Sequence, residues 1–145
     1  MKKVSSEIAL INYSMCLRDA VAVFTKELIN CLFDEKYQQE KGAATKAQFF
    51  RILERLSVEN EDCFWFDFEK SFIEIRRKLD LDAIAALKSD PAAKSLREVY
   101  LAYPGFYAIA VHRLSNQLLK QEIAILPRMM SEFAHGVTGT DIHPG

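Results

Sequence analysis

A chain of 145 residues, half of them hydrophobic and 27% charged, has room for one domain with a real core and is too apolar to be intrinsically disordered. A net charge of −1 and a pI near 6.3 give no electrostatic pull toward nucleic acid or an anionic membrane. No apolar run approaches the roughly 18 residues of a membrane span, and the basic start MKKVSSEIALINYSM is interrupted by Glu7 with no small-residue cleavage site after it, so a cytoplasmic protein is expected.

Over residues 5–33 the apolar positions Ile8, Ile11, Met15, Leu17, Val21, Phe24, Leu28 and Leu32 recur at three and four. That is the period of an amphipathic helix, or of two joined near Ser14 where the register slips. The polar stretch DEKYQQEKGAA over 34–44 reads as a linker or frayed end with its break at Gly42. Thr45 is a predicted N-cap for a helix through Phe49, Ile52, Leu53 and Leu56. A third helix is expected from Asn60 or Glu61 to Leu79, with Phe64, Phe68, Phe72, Ile75 and Leu79 on one face, widened by Trp65 and Phe66. An aromatic stripe of this kind belongs to a core or a subunit contact before it belongs to a ligand wall. A short helix capped at Asp80 or Asp82 follows and stops near Ser89, because Pro91 restricts Asp90 and lacks an amide donor. Residues 93–102 and 106–121 are helical on either side of the Tyr103-Pro104-Gly105 corner, and a last helix with Pro127 near its start runs to about Val137.

The final TGTDIHPG cannot continue that helix: Gly139 loosens the backbone and Pro144 excludes the helical region at His143. As a strand it sends Asp141 and His143 to one side and Ile142 to the other, with nothing to pair against. An end that is frayed, or pinned by a crystal neighbour, is the expectation.

No P-loop, GxGxxG, HExxH or GxSxG pattern occurs, and His112, His135 and His143 are too scattered for a zinc set, so no metal site is expected. Cys16, Cys31 and Cys63 are an odd number at wide spacing and read as reduced, buried small hydrophobes. By spacing alone this is a helical domain of unstated purpose. Asp90, directly before Pro91, is first of all a helix cap.

The segment DPAAKSLREVYLAYPGFYAIAVHR, Asp90 to Arg113, resembles the DPAA, YPG and HR stretch of bacterial serine O-acetyltransferases, and TGTDIHPG resembles the TGxDIHPG that follows it there. LRDAVAVFTKELINCLFDEKY is similar to an earlier helix of that family more loosely. The resemblance implies an all-α fold class: a multi-helix N-terminal domain over 1–137, for oligomerisation and the serine site, ending in the first strand of a left-handed parallel β-helix. Residues 138–145 are then the start of the hexapeptide-repeat acetyltransferase domain, with Ile142 its first inward residue. The implied reaction carries acetyl from acetyl-CoA, a co-substrate, to the hydroxyl of L-serine for cysteine biosynthesis. Asp141 would be catalytic, orienting a base histidine that the 145 residues do not contain. Asp90 would be substrate-binding, a carboxylate for the serine ammonium, with L-cysteine as feedback inhibitor of the same pocket. His143 is read as structural, and His112 and Arg113 as packing and pairing residues. The implied partners are further copies of the chain, as a dimer of trimers, and O-acetylserine sulfhydrylase. The 145 residues alone bind no cofactor and are expected to be inactive. The alternative is a free-standing helical interaction or regulatory module without catalysis, and a third reading keeps the fold with another acyl acceptor.

Overall fold

A computed structural model describes residues 2–6 and 15–145; the expected positions Ile8 and Ile11 and the joint near Ser14 lie outside them. From residue 15 onward the described residues form six helices in order: α1 (Leu17–Phe33), α2 (Glu35–Arg55), α3 (Glu61–Ser89), α4 (Leu96–Ala102), α5 (Pro104–Lys120) and α6 (Leu126–Thr138). α1 and α2 form one helical hairpin, α5 and α6 another, and α3 packs against members of both. With 29 residues α3 is roughly 43 Å long at about 1.5 Å per residue, enough to run the length of the domain. No strand forms among the described residues.

The expected all-α architecture is present, with four differences in detail. Residues 34–44 are not a linker: Asp34 precedes α2 and 35–44 are its first half. Glu, Lys, Gln and Ala are strong helix formers, and their combined preference outweighs the roughly 1 kcal/mol that a lone interior glycine costs. Gly42 therefore sits inside the helix. Thr45 is not an N-cap: it is buried mid-helix and its hydroxyl donates to the Lys41 carbonyl at 3.0 Å. Asp34 is the cap, accepting from the Tyr37 amide at 3.0 Å. α3 continues unbroken through Asp80 and Asp82 to Ser89, so neither aspartate caps a helix. The helix expected from residue 93 begins at Leu96, where Ser95 accepts from the Glu98 amide at 3.2 Å and the Glu98 carboxylate accepts from the Lys94 amide at 2.8 Å.

The aromatic stripe of α3 does build the core. Phe68, fully buried, stands 6.1 Å from Phe49 and 4.9 Å from Phe72 between ring centroids, and Trp65 lies 5.2 Å from Phe49. Phe24 of α1 closes the cluster at 5.9 Å from Phe49. Phe66, on the opposite side of α3, is exposed. α3 is also pinned to the end of α1: the Arg76 guanidinium donates to the carbonyls of Leu32 and Phe33 at 3.3 and 3.4 Å and to Asp80 at 3.1 Å. No disulfide joins the cysteines among the described residues, and they are not buried as expected; Cys16 and Cys63 are exposed and Cys31 is half-buried against the Thr45 hydroxyl at 3.6 Å.

Candidate active-site residues

Asp90 ends α3. Its amide closes the last turn on the Ala86 carbonyl, and its extended backbone turns the chain toward α4. Oδ1 accepts from the Ala92 amide at 2.9 Å, folding the turn over Pro91, and Oδ2 accepts from the Tyr103 hydroxyl at 2.6 Å. The cap role read from Asp-Pro thus falls on the turn, and Ser95 caps the helix that follows. Two carboxylate oxygens offer about four acceptor sites, so the half-buried Asp90 can take a further donor beside these two.

Tyr103 is the partner that sequence reasoning misses, since a bond across this turn leaves no periodic signal. Its acidity shows the pairing: Asp90 pushes the Tyr103 hydroxyl up to about 12, and that hydroxyl, more than the Ala92 amide, holds Asp90 below the ordinary carboxylate value. A raised tyrosine favours the fold while protonated, so this contribution is complete up to the ordinary value near 10 and is lost as pH rises from there through about 12. On the acid side it fades as the pH falls below the ordinary carboxylate range and Asp90 protonates. Asp90→Asn is expected to bring the Tyr103 phenolate titration, followed by ultraviolet difference absorbance, back toward about 10. Identical curves for the two proteins would break the assignment.

Asp141 is placed quite differently. Its side chain is 67% exposed, and the Nδ1 of His135 lies 3.9 Å from Oδ1, beyond hydrogen-bond range. The residues around it alternate as a strand would: Asp141 and His143 are exposed, Thr140 and Ile142 half-buried, Pro144 buried. The expected sidedness is present although no strand ladder forms. The tail is not frayed. It leaves α6 at Gly139, whose φ of 71° is the left-handed cap that glycine adopts without strain. It then lies along α5 in the direction of that helix. Thr138 shares a groove of about 370 Å³ with Tyr103 and Tyr107, the His112 ring lies beside the His143 backbone, and Asn116 Nδ2 donates to the Pro144 carbonyl at 2.8 Å.

The remaining motif residues have structural partners. Arg113 grips Asp82 of α3 with two bonds of 2.7 and 2.9 Å, both side chains mostly buried. His143 Nδ1 accepts from the Gly145 amide at 3.0 Å. Burial, with help from the neighbouring Arg113 charge, keeps the half-buried His112 below the ordinary imidazole value. The pairing roles of Asp82 and Asn116 leave no mark in the sequence, because their partners lie 31 and 28 positions away. No hydrogen bond or ion pair joins Asp90 to Asp141 among the described residues; each is fixed separately, at opposite ends of the motif region.

No family model matches the chain. Curated relatives do. A plasmid-encoded serine acetyltransferase of Synechococcus elongatus is 45% identical over 78 residues, 54% of this chain and 24% of that protein. The serine acetyltransferase of Bacillus subtilis is 41% identical over 68 residues, 47% of this chain and 30% of that protein. Among solved structures, serine acetyltransferase isoform 3 of Entamoeba histolytica in complex with cysteine superposes with a TM-score of 0.77 at 27% identity, covering 84% of this chain and 49% of that one. The proteins named by these similarities are acyltransferases. The chain is similar to serine acetyltransferases in sequence over about half of its length and in fold over 84% of it. It spans about a quarter to a third of the curated relatives named here and about half of the solved structure.

Proposed function

We propose that the chain is the helical part of an enzyme that transfers acetyl from acetyl-CoA to the hydroxyl of L-serine, giving O-acetylserine for cysteine biosynthesis. One observation carries this reading. The DPAA, YPG, HR and TGxDIHPG motifs occur in order, and the fold on which they sit matches a serine acetyltransferase over 84% of the chain. In the proposed division, 1–137 supplies assembly and part of the serine site, and 138–145 begins the acetyltransferase domain.

The serine oxygen attacks the thioester carbonyl while a base takes its proton; the carbon–sulfur bond breaks and the proton passes to the departing CoA thiolate. That base is a histidine outside these 145 residues. Asp141, presented on the surface with neither oxygen in a hydrogen bond among the described residues, is suited to accept from the far N–H of such an imidazole and to stabilise its cation. Asp90, ionised and held by Tyr103, is suited to receive the substrate ammonium. The Entamoeba protein was solved as a complex with cysteine, which supports cysteine as a competitor for the same pocket here. Exposed apolar residues such as Phe66, Ile73 and Leu101 fit self-association into a dimer of trimers. Docking of O-acetylserine sulfhydrylase and a cytoplasmic location complete the proposal; no helix among the described residues is long and apolar enough to cross a membrane.

The test compares the 145-residue chain with the natural gene product that includes whatever follows Gly145, following serine-dependent release of CoA. The chain alone is expected to release none and the longer product to turn over. Release by the chain alone would overturn the division of labour, and turnover of homoserine but not serine would overturn the acceptor.

A further inference from the structure

Asp141 is exposed, yet the backbone on both sides of it is tied down. Before it, the Gly139 amide bonds the His135 carbonyl at 2.9 Å and the Thr140 amide bonds the Thr138 hydroxyl at 3.1 Å. After it, Asn116 of α5 donates to the Pro144 carbonyl at 2.8 Å, and His112, one turn earlier on the same helix, lies beside the His143 backbone. Pro144 itself is buried, and a side chain at Gly145 would come within 3.2 Å of Leu119, so the segment lies close on the helix. His112 and Asn116 stand at i and i+4, the spacing that puts both on one face of α5. Neither is needed for the aromatic core, which lies between α1, α2 and α3.

We propose that Asn116, assisted by His112, is a positioning residue for Asp141. It sets the height and rotation of the DIHP segment through the backbone and leaves the carboxylate itself unencumbered. The inference rests on the function proposed above, in which Asp141 orients a catalytic imidazole. An orienting carboxylate works only when held within about 0.5 Å of its productive place, and a misplacement of about 1 Å costs on the order of a hundredfold in rate. A leucine at position 116 fills the same space without a donor. A histidine there can present an N–H where the amide nitrogen stands.

Two measurements decide the matter. In the natural full-length protein, Asn116→Leu is expected to lower kcat ten- to a hundredfold while KM for serine moves less than about threefold, and Asn116→His is expected to restore most of kcat. In the 145-residue chain, Asn116→Leu is expected to speed amide hydrogen exchange at residues 141–145 and leave α3 protected. Unchanged exchange overturns the clamp, and unchanged kcat overturns its role in positioning. Failure of the unmodified full-length protein to acetylate serine would remove the parent reading, while the exchange experiment would still decide the clamp.

Discussion

Phe68→Ala is expected to cost about 3–5 kcal/mol of folding stability, the usual range for emptying an aromatic site in a close-packed core. Phe68 is fully buried, and its ring is shared by Phe49 at 6.1 Å, Trp65 at 5.9 Å and Phe72 at 4.9 Å. Those neighbours sit on α2 and α3 and are themselves large, so they cannot collapse into the vacated space without leaving their own contacts. Domains have total stabilities of roughly 5–15 kcal/mol, so this single change removes a large fraction of the whole. Urea denaturation monitored by far-ultraviolet circular dichroism is the measurement. A loss under about 1 kcal/mol would mean that the aromatic cluster is not the close-packed centre of the domain.

Arg113→Met is the second large effect, for an electrostatic reason. Arg113 and Asp82 are 28% and 24% exposed and joined by two bonds of 2.7 and 2.9 Å, linking α5 to α3. Methionine replaces the packing of the arginine stem but leaves the Asp82 carboxylate largely desolvated and unpaired. A fully buried orphan charge costs about 3–5 kcal/mol, so with a quarter of each side chain still in water about 2–3 kcal/mol is expected. Asp82→Asn in the same background is expected to return at least about 1 kcal/mol, since the neutral amide tolerates the site better. The double-mutant cycle isolates the pair from the packing. Additive single and double mutants would show that the two groups do not depend on each other.

These two cases also mark what can be read from the sequence. Phe68 is legible because its spacing from Phe64, Phe72 and Ile75 is the helical period, and burial follows from period. Arg113 stands out as part of a motif, but Asp82 passes for a cap: a charged residue inside a long helix looks like a boundary when its partner is 31 positions away. The same blindness turns 34–44 into a linker. Its residues have high helix propensity but no apolar stripe, and periodicity says nothing about a half-helix that faces water. At the candidate site, Asp90 and Asp141 emerge through the resemblance and not through chemistry. Spacing alone supplies neither Tyr103, which fixes the ionisation of Asp90, nor Asn116, which holds the tail.

The way the tail lies on α5 has a consequence for what this segment can tolerate. Past the turn at Gly139 the segment is held near both ends, the Thr140 amide on the Thr138 hydroxyl at 3.1 Å and the Pro144 carbonyl on Asn116 of α5 at 2.8 Å. The residues at 140 and 142 can change in size so long as they still face inward, but their number cannot change. One residue more or fewer between Gly139 and Pro144 would slide Asp141 by about 3.3 Å and turn its carboxylate to the opposite side. What is specified here is a count.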